Sequence, residues 1–134
     1  MHDSTRRGGL GLAAAALLLG AHLAGAAETI PAAAMSDAEA IFKARCTMCH
    51  GPGGKGDGPA GAALSPKPRD MTDPAWQQSV TDAHIESIIA GGGPAVGKSP
   101  MMPANPDLKP KPDVIKALRQ IVRRFGAAAT PGAH

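Results

Sequence analysis

Two long stretches rich in glycine and proline dominate this chain of 134 residues. Of its 30 glycines and prolines, 21 lie between residues 51 and 112. Residues 51–70 and 91–112 therefore read as two loops of about twenty residues each, which is long for a compact domain. Loops of this length are either disordered or wrapped around something, and the chain length suits one domain.

Three segments have the spacing of amphipathic helices, and no segment alternates apolar and polar residues long enough to predict a strand. Ser36-Asp37-Ala38-Glu39 has the pattern of a capping box, which predicts that the first helix begins at Ser36. Phe42, Cys46 and Cys49 then follow at i, i+4 and i+7 and are expected on one face of that helix.

The second and third helices are predicted from isoleucine-rich and leucine-rich faces. Thr81 and Asp82 open the second helix and Gly91 ends it, with an apolar face formed by Ile85, Ile88 and Ile89. The third helix is expected to end at Gly126, with Arg123 and Arg124 near the negative end of its dipole. Its apolar seams are Val114, Leu118, Ile121 and Phe125, and Ile115, Leu118 and Val122; its outward face is expected to hold Lys116, Arg119, Gln120 and Arg123.

Large side chains are too few to build an ordinary core. Aromatic residues make up only 2% of the chain, namely Phe42, Trp76 and Phe125, and tyrosine is absent. A small domain of this composition has difficulty burying enough apolar surface by itself. A non-protein group is therefore expected to fill part of the core.

Cys46-Thr47-Met48-Cys49-His50 is the motif with the most specific chemistry. A C-x-x-C-H run is the attachment site of a c-type haem. Two thiols three residues apart on a helical turn can reach both vinyl groups along one porphyrin edge, and the following His50 can coordinate the iron. A thioredoxin-like dithiol would need a βαβ context, and a zinc site would need two further ligands, while no other cysteine exists.

With this motif, residues 36 to 126 resemble the class I monohaem c-type cytochromes. The resemblance also includes Gly56-Asp57-Gly58-Pro59, Met101-Met102-Pro103 and the C-terminal amphipathic helix. It implies an all-α cytochrome c-like fold of three or more helices, with long Gly/Pro-rich loops enclosing one covalent haem c. The N- and C-terminal helices of that fold cross, so Phe42 and Phe125 are candidates for their contact.

The resemblance also implies a sixth iron ligand from a methionine in a later loop, often directly before a proline. Met102 precedes Pro103 and is the first choice, with Met101 as the second. A methionine paired with histidine raises the reduction potential. The rival ligation pairs His50 with His84, which falls at the third position of the second predicted helix.

Further residues have softer assignments around the haem. By resemblance, the carbonyl that accepts from the His50 ring belongs to a proline in the first loop, either Pro66 or Pro68. Trp76 and Arg69 are candidates to hydrogen-bond a haem propionate or, equally, to pack within their loop. Four lysines flank the predicted haem-binding segments and would form either a docking rim or ordinary solvated surface: Lys43, Lys55, Lys67 and Lys98.

The first 26 residues have the layout of an export signal. Arg6 and Arg7 precede a twelve-residue apolar stretch that is followed by Ala24-Gly25-Ala26. Cleavage near Ala26 or Ala27 would leave a cytochrome c domain over residues 27–134 with a short loose C-terminal tail. The expected location is the periplasm, without stable membrane insertion, although an uncleaved anchor stays open because hydropathy does not report cleavage.

The leading functional hypothesis is a periplasmic one-electron carrier, not an enzyme, with a six-coordinate His/Met haem. The expected partners are larger redox proteins, with a terminal oxidase or reductase as one candidate acceptor, and the expected state is a monomer. The alternatives are a haem-bearing subunit of a periplasmic dehydrogenase or sulfur-oxidising complex, and a sensor or peroxidase-like module with an open iron site. The formal charge of +3 lacks an aromatic-rich basic stripe, so no nucleic-acid partner is expected.

Overall fold

The computed structural model describes residues 28–128, and within this range the secondary structure is entirely helical. The α-helices are α1 (Ala32–Ile41), α2 (Thr47–His50), α3 (Pro74–Ser79), α4 (Asp82–Gly91) and α5 (Pro112–Ala128). A π-helical turn, Phe42–Cys46, joins α1 to α2, and short 3-10 turns occur at Gly61–Ala63, Gly93–Val96 and Pro106–Leu108. The prediction of an all-α fold is confirmed. The predicted signal segment and most of the C-terminal tail lie outside the described residues.

The core forms where α5 packs against α1 and α4. Small residues on α1 and α5 allow a close approach, since Ala38 and Ala117 are completely buried. Phe42 and Phe125 meet beside this crossing with ring centroids 5.4 Å apart and ring planes tilted by 43°, which confirms their expected contact. Ile85 of α4 and Leu108, in the turn before α5, are the largest fully buried side chains described.

The first helix begins four residues earlier than predicted. Helix α1 starts at Ala32, and the Met35 N–H donates to the Pro31 carbonyl to close its first turn. Alanine and methionine are strong helix formers, and Ala34 is buried in the core, so the helix extends back through this segment. Ser36 is therefore an exposed residue inside the helix, and the predicted capping box does not form.

Helix α4 agrees with its prediction, since the Thr81 hydroxyl accepts from the His84 N–H at 3.1 Å and the helix ends at Gly91. Helix α5 continues past Gly126 to Ala128. Gly126 is buried against α3, where an added Cβ would lie 2.5 Å from Cγ of Gln77. Gly126 therefore does not end the helix; its lack of a side chain allows α5 and α3 to pack closely. Helix α3 was not predicted, although Asp73, which caps it, and Pro74 at its first position are ordinary start signals.

Arg119 is buried, although the helical pattern predicted that it faces outward. Only 9% of the residue is exposed, and its guanidinium pairs with carboxylates of Glu28, Asp82 and Glu86. The polar stripe of α5 lies against α4 and the segment before α1, so charge pairing replaces solvent there. The neighbouring Arg123 donates to the Gln77 and Val80 carbonyls at the end of α3, and not to its own helix.

Candidate haem-binding site

The attachment turn comprises Cys46, Cys49 and His50, where the π-helical turn meets α2. Both cysteines are half-buried and neither forms a disulfide. Burial raises the pKa of Cys46 to about 11 against the opposing charge of Arg45, so its thiol is protonated at neutral pH. A redox-active dithiol needs a thiolate of lowered pKa, and this environment does not provide one at Cys46.

The loop after the attachment turn satisfies the end of α2 completely. The last four carbonyls of a helix normally lack partners within the helix. Here each of them accepts a hydrogen bond from a backbone N–H of residues 51–60. We name this segment, residues 51–60, the amide clamp. The donor and acceptor pairs are Gly51 to Thr47 at 2.9 Å, Ala60 to Met48 at 2.8 Å, Gly58 to Cys49 at 3.1 Å, and Gly56 to His50 at 2.9 Å.

Glycine is required in the amide clamp because backbone atoms approach too closely for a side chain. A Cβ on Gly58 would lie 2.4 Å from the Thr47 oxygen and 2.5 Å from the Met48 oxygen. Gly56 has a φ of +75°, and its Cβ would lie 2.4 Å from the Pro68 oxygen. The glycine-rich sequence thus fixes the orientation of the attachment turn through main-chain contacts.

The His50 ring is oriented by a backbone carbonyl. Its Nδ1–H donates to the Arg69 carbonyl oxygen at 3.4 Å, and burial holds the pKa of His50 below its usual range. The ring is therefore neutral, and the lone pair on Nε2 is available to coordinate a metal ion. The predicted acceptors, Pro66 and Pro68, are both wrong: the Pro68 oxygen instead lies against Gly56, and the next carbonyl along the chain faces the histidine.

The methionine loop, residues 97–105, follows α4. The Met102 N–H donates to the Ser99 carbonyl at 3.3 Å, and the Met102 carbonyl accepts from the Gly93 N–H at 2.9 Å. An added Cβ on Gly92 would lie 2.7 Å from the Met102 oxygen, so the two backbones are in close contact. Met102 is half-buried, whereas Met101 is 56% exposed. The structure thus brings Cys46, Cys49 and His50 into one turn and holds Met102 in a separate loop.

Arg69, whose carbonyl faces His50, has its guanidinium beside Trp76. The Arg69 guanidinium carbon is 6.0 Å from the centroid of the Trp76 ring, and its Nη1 is 3.8 Å from the Asp73 carboxylate. Their predicted contact with a propionate stays a prediction. The four flanking lysines, Lys43, Lys55, Lys67 and Lys98, are all exposed.

The donor set fits a haem better than a bare metal ion. Within residues 28–128, no group of three or more His, Cys, Asp or Glu side chains is arranged to hold a metal ion, which counts against a zinc site. Two unpaired thiols and a neutral imidazole in one turn are the groups that a covalent haem requires. An all-helical fold with this turn defines a c-type haem protein.

A family model described as Cytochrome c matches residues 35–118, more than half of the chain. The chain therefore belongs to the cytochrome c family, and its cofactor is a covalently bound haem c with iron. Searches of curated proteins and of solved structures gave no match. No helix in the described part of the chain has the length and apolar character needed to cross a bilayer.

Proposed function

We propose that this cytochrome c is a periplasmic one-electron carrier whose single haem has His50 and Met102 as axial ligands. Membership of the family makes it a haem-based electron carrier. The observation that supports the ligation most is the orientation of His50, whose free nitrogen is Nε2 because Nδ1 is engaged by Arg69. Cys46 and Cys49 are the proposed thioether residues.

The bound haem supplies an iron that alternates between the ferric and ferrous states. The chain supplies the constraints. His50 keeps a neutral ring with a fixed donor direction, since burial opposes its protonation and the amide clamp holds its backbone. Filling both axial positions with protein ligands leaves no coordination position for a substrate, which suits a carrier and not a catalyst.

Met102 is supported over Met101 by how the loop is held. Both hydrogen-bonding groups of the Met102 backbone are engaged, and Gly92 contacts it closely. Met101 is held only by a bond from its N–H to the Ser99 hydroxyl at 3.2 Å, and its side chain is largely exposed. A ligand needs a restrained backbone, because every loop excursion would carry the sulfur away from iron.

The location and partners follow from the leader and from the expected mode of contact. We propose that residues 1–26 are an export signal and that residues 27–134 form the mature domain. The mature protein would act as a monomer that exchanges electrons with larger redox proteins through small, short-lived interfaces. Purification as a stoichiometric complex with a catalytic chain would instead indicate the subunit role.

The reduction potentials of two alanine variants test the ligation. Met102→Ala should lower the potential on the order of 0.1 V, within the roughly 0.8 V range that axial ligands control, because a soft thioether favours ferrous iron. Met101→Ala is the matched control, one residue away in the same loop, and should leave the potential nearly unchanged. The reverse result would assign the ligand to Met101, and no change in either variant would refute methionine ligation from this loop.

A further inference from the structure

Arg45 connects the attachment turn to Asn105, the last residue of the methionine loop, and to Asp107 just beyond it. It precedes Cys46 in the π-helical turn, and its Nη1 donates to Oδ1 of Asn105 at 3.3 Å and to Oδ1 of Asp107 at 3.1 Å. The same nitrogen lies 3.0 Å from the second carboxylate oxygen of Asp107. One side chain thus bridges residues about sixty positions apart in the sequence.

Asn105 has a second set of contacts that bind the end of the methionine loop to α4. Its backbone N–H donates to the Ala90 carbonyl at 3.0 Å, and its side-chain Nδ2 donates to the Ile89 carbonyl at 2.8 Å. Its remaining oxygen, Oδ1, is the atom that accepts from Arg45. Asn105 therefore joins three elements: the end of α4, the methionine loop and the attachment turn.

We infer that Arg45, Asn105 and Asp107 form a strap that holds the methionine loop against the attachment turn, with Arg45 as a positioning residue for the sixth ligand. The inference rests on the proposed ligation by Met102, which lies three residues before Asn105. Met102 is held through Gly93 to the 3-10 turn after α4, and Asn105 is held to α4 and to Arg45. Moving Met102 away from iron requires this loop to open, and opening is opposed by the strap.

The size of the effect follows from exposure. The Arg45 and Asp107 side chains are 45% and 51% exposed, so their pairing is partly screened by solvent. Exposed ion pairs of this kind change an equilibrium by about 2- to 5-fold. The strap should therefore change the opening equilibrium of the methionine loop by about 2- to 5-fold without changing the fold.

The test compares Arg45→Gln, Asp107→Asn and the double variant in the ferric holoprotein. Amide hydrogen exchange of peptides from residues 97–105 reports loop opening directly, and binding of free imidazole to iron reports displacement of Met102. The control is Arg124→Gln, because Arg124 pairs with Glu39 at 3.5 Å, is similarly exposed and lies on α5. Global unfolding by denaturant, measured in parallel, detects a merely structural loss.

Both single variants should raise exchange in residues 97–105 and imidazole affinity by about 2- to 5-fold. The double variant should match Arg45→Gln, because that substitution already removes the bonds to both Asn105 and Asp107. Three results would overturn the inference that this strap holds the loop. They are unchanged exchange in Arg45→Gln, additive effects of the Arg45 and Asp107 substitutions, and an effect of Arg124→Gln equal to that of Arg45→Gln. Faster exchange of the loop with unchanged imidazole affinity would support the strap and refute Met102 as the displaced ligand.

Discussion

Replacing Gly58 with alanine should destabilise the protein through the carbonyls of the attachment turn. An added Cβ would lie 2.4 Å and 2.5 Å from the Thr47 and Met48 oxygens and 2.7 Å from the Met48 carbonyl carbon. All three are main-chain atoms that cannot rotate away. The loop must therefore move off the turn, which also stretches the bond from the Gly58 N–H to the Cys49 carbonyl.

The expected magnitude combines two terms. Forcing a methyl group into a packed site costs about 1–3 kcal/mol. A weakened backbone hydrogen bond adds about 0.5–1.5 kcal/mol. We therefore expect Gly58→Ala to lower the free energy of unfolding by about 1.5–4.5 kcal/mol.

The matched control lies in the same loop. An added Cβ on Gly53 would meet no atom within 4 Å, so Gly53→Ala should be neutral or stabilise by about 0.4–1 kcal/mol through the unfolded state. Guanidinium unfolding of each holoprotein, followed by far-UV circular dichroism, gives both free energies. Equal stabilities of the two variants would refute the claim that close backbone contact fixes the attachment turn.

The charge cluster around Arg119 supports two further predictions. Arg119→Met should lower the free energy of unfolding by about 1–3 kcal/mol, because it removes the partner shared by the carboxylates of Glu28, Asp82 and Glu86. The control, Lys116→Met, should lower it by less than about 1 kcal/mol, because the Lys116–Glu28 pair is exposed. A similar cost for both, measured by denaturant unfolding, would refute this role of burial. Stability should also fall as the solution is acidified. Burial raises the pKa of Asp82, but hydrogen bonds from Arg123 and Arg119 outweigh that effect and hold the pKa of Asp82 below its usual range. A carboxylate with a lowered folded-state pKa stabilises above its unfolded value and loses that contribution as the pH falls through the folded value. Thermal melts below pH 4 should therefore decline less steeply in Arg119→Met than in the parent, and parallel declines would contradict the assignment.

The sequence predicted the features that depend on local pattern and on motif chemistry. The Thr81 cap of α4 and the apolar face of α5 are of this kind, because each follows from helical spacing or capping preferences. The Phe42–Phe125 contact was expected from the family resemblance, which implies that the N- and C-terminal helices cross. The haem attachment motif needs only five adjacent residues to be recognised.

The remaining features depend on contacts between distant segments, which periodicity does not encode. Arg119 occupies a polar position on α5, yet neighbouring carboxylates from two other segments bury it. The position of Gly126 predicted the end of α5, whereas in the structure the absence of a side chain there lets Gln77 pack against the helix. The Pro68 carbonyl is turned toward Gly56, so the carbonyl that faces His50 is that of Arg69. The loop sequence alone does not show which of these carbonyls faces the histidine.

The visible absorption spectrum of the purified protein, ferric and ferrous, before and after addition of carbon monoxide, tests the central claim most directly. A covalent haem with His50 and Met102 as ligands predicts a low-spin c-type spectrum that carbon monoxide does not change. It also predicts the weak red band of sulfur-to-ferric-iron charge transfer. Rapid carbon monoxide binding would contradict the account, because it would show an open or labile sixth position and favour a sensor or catalytic role.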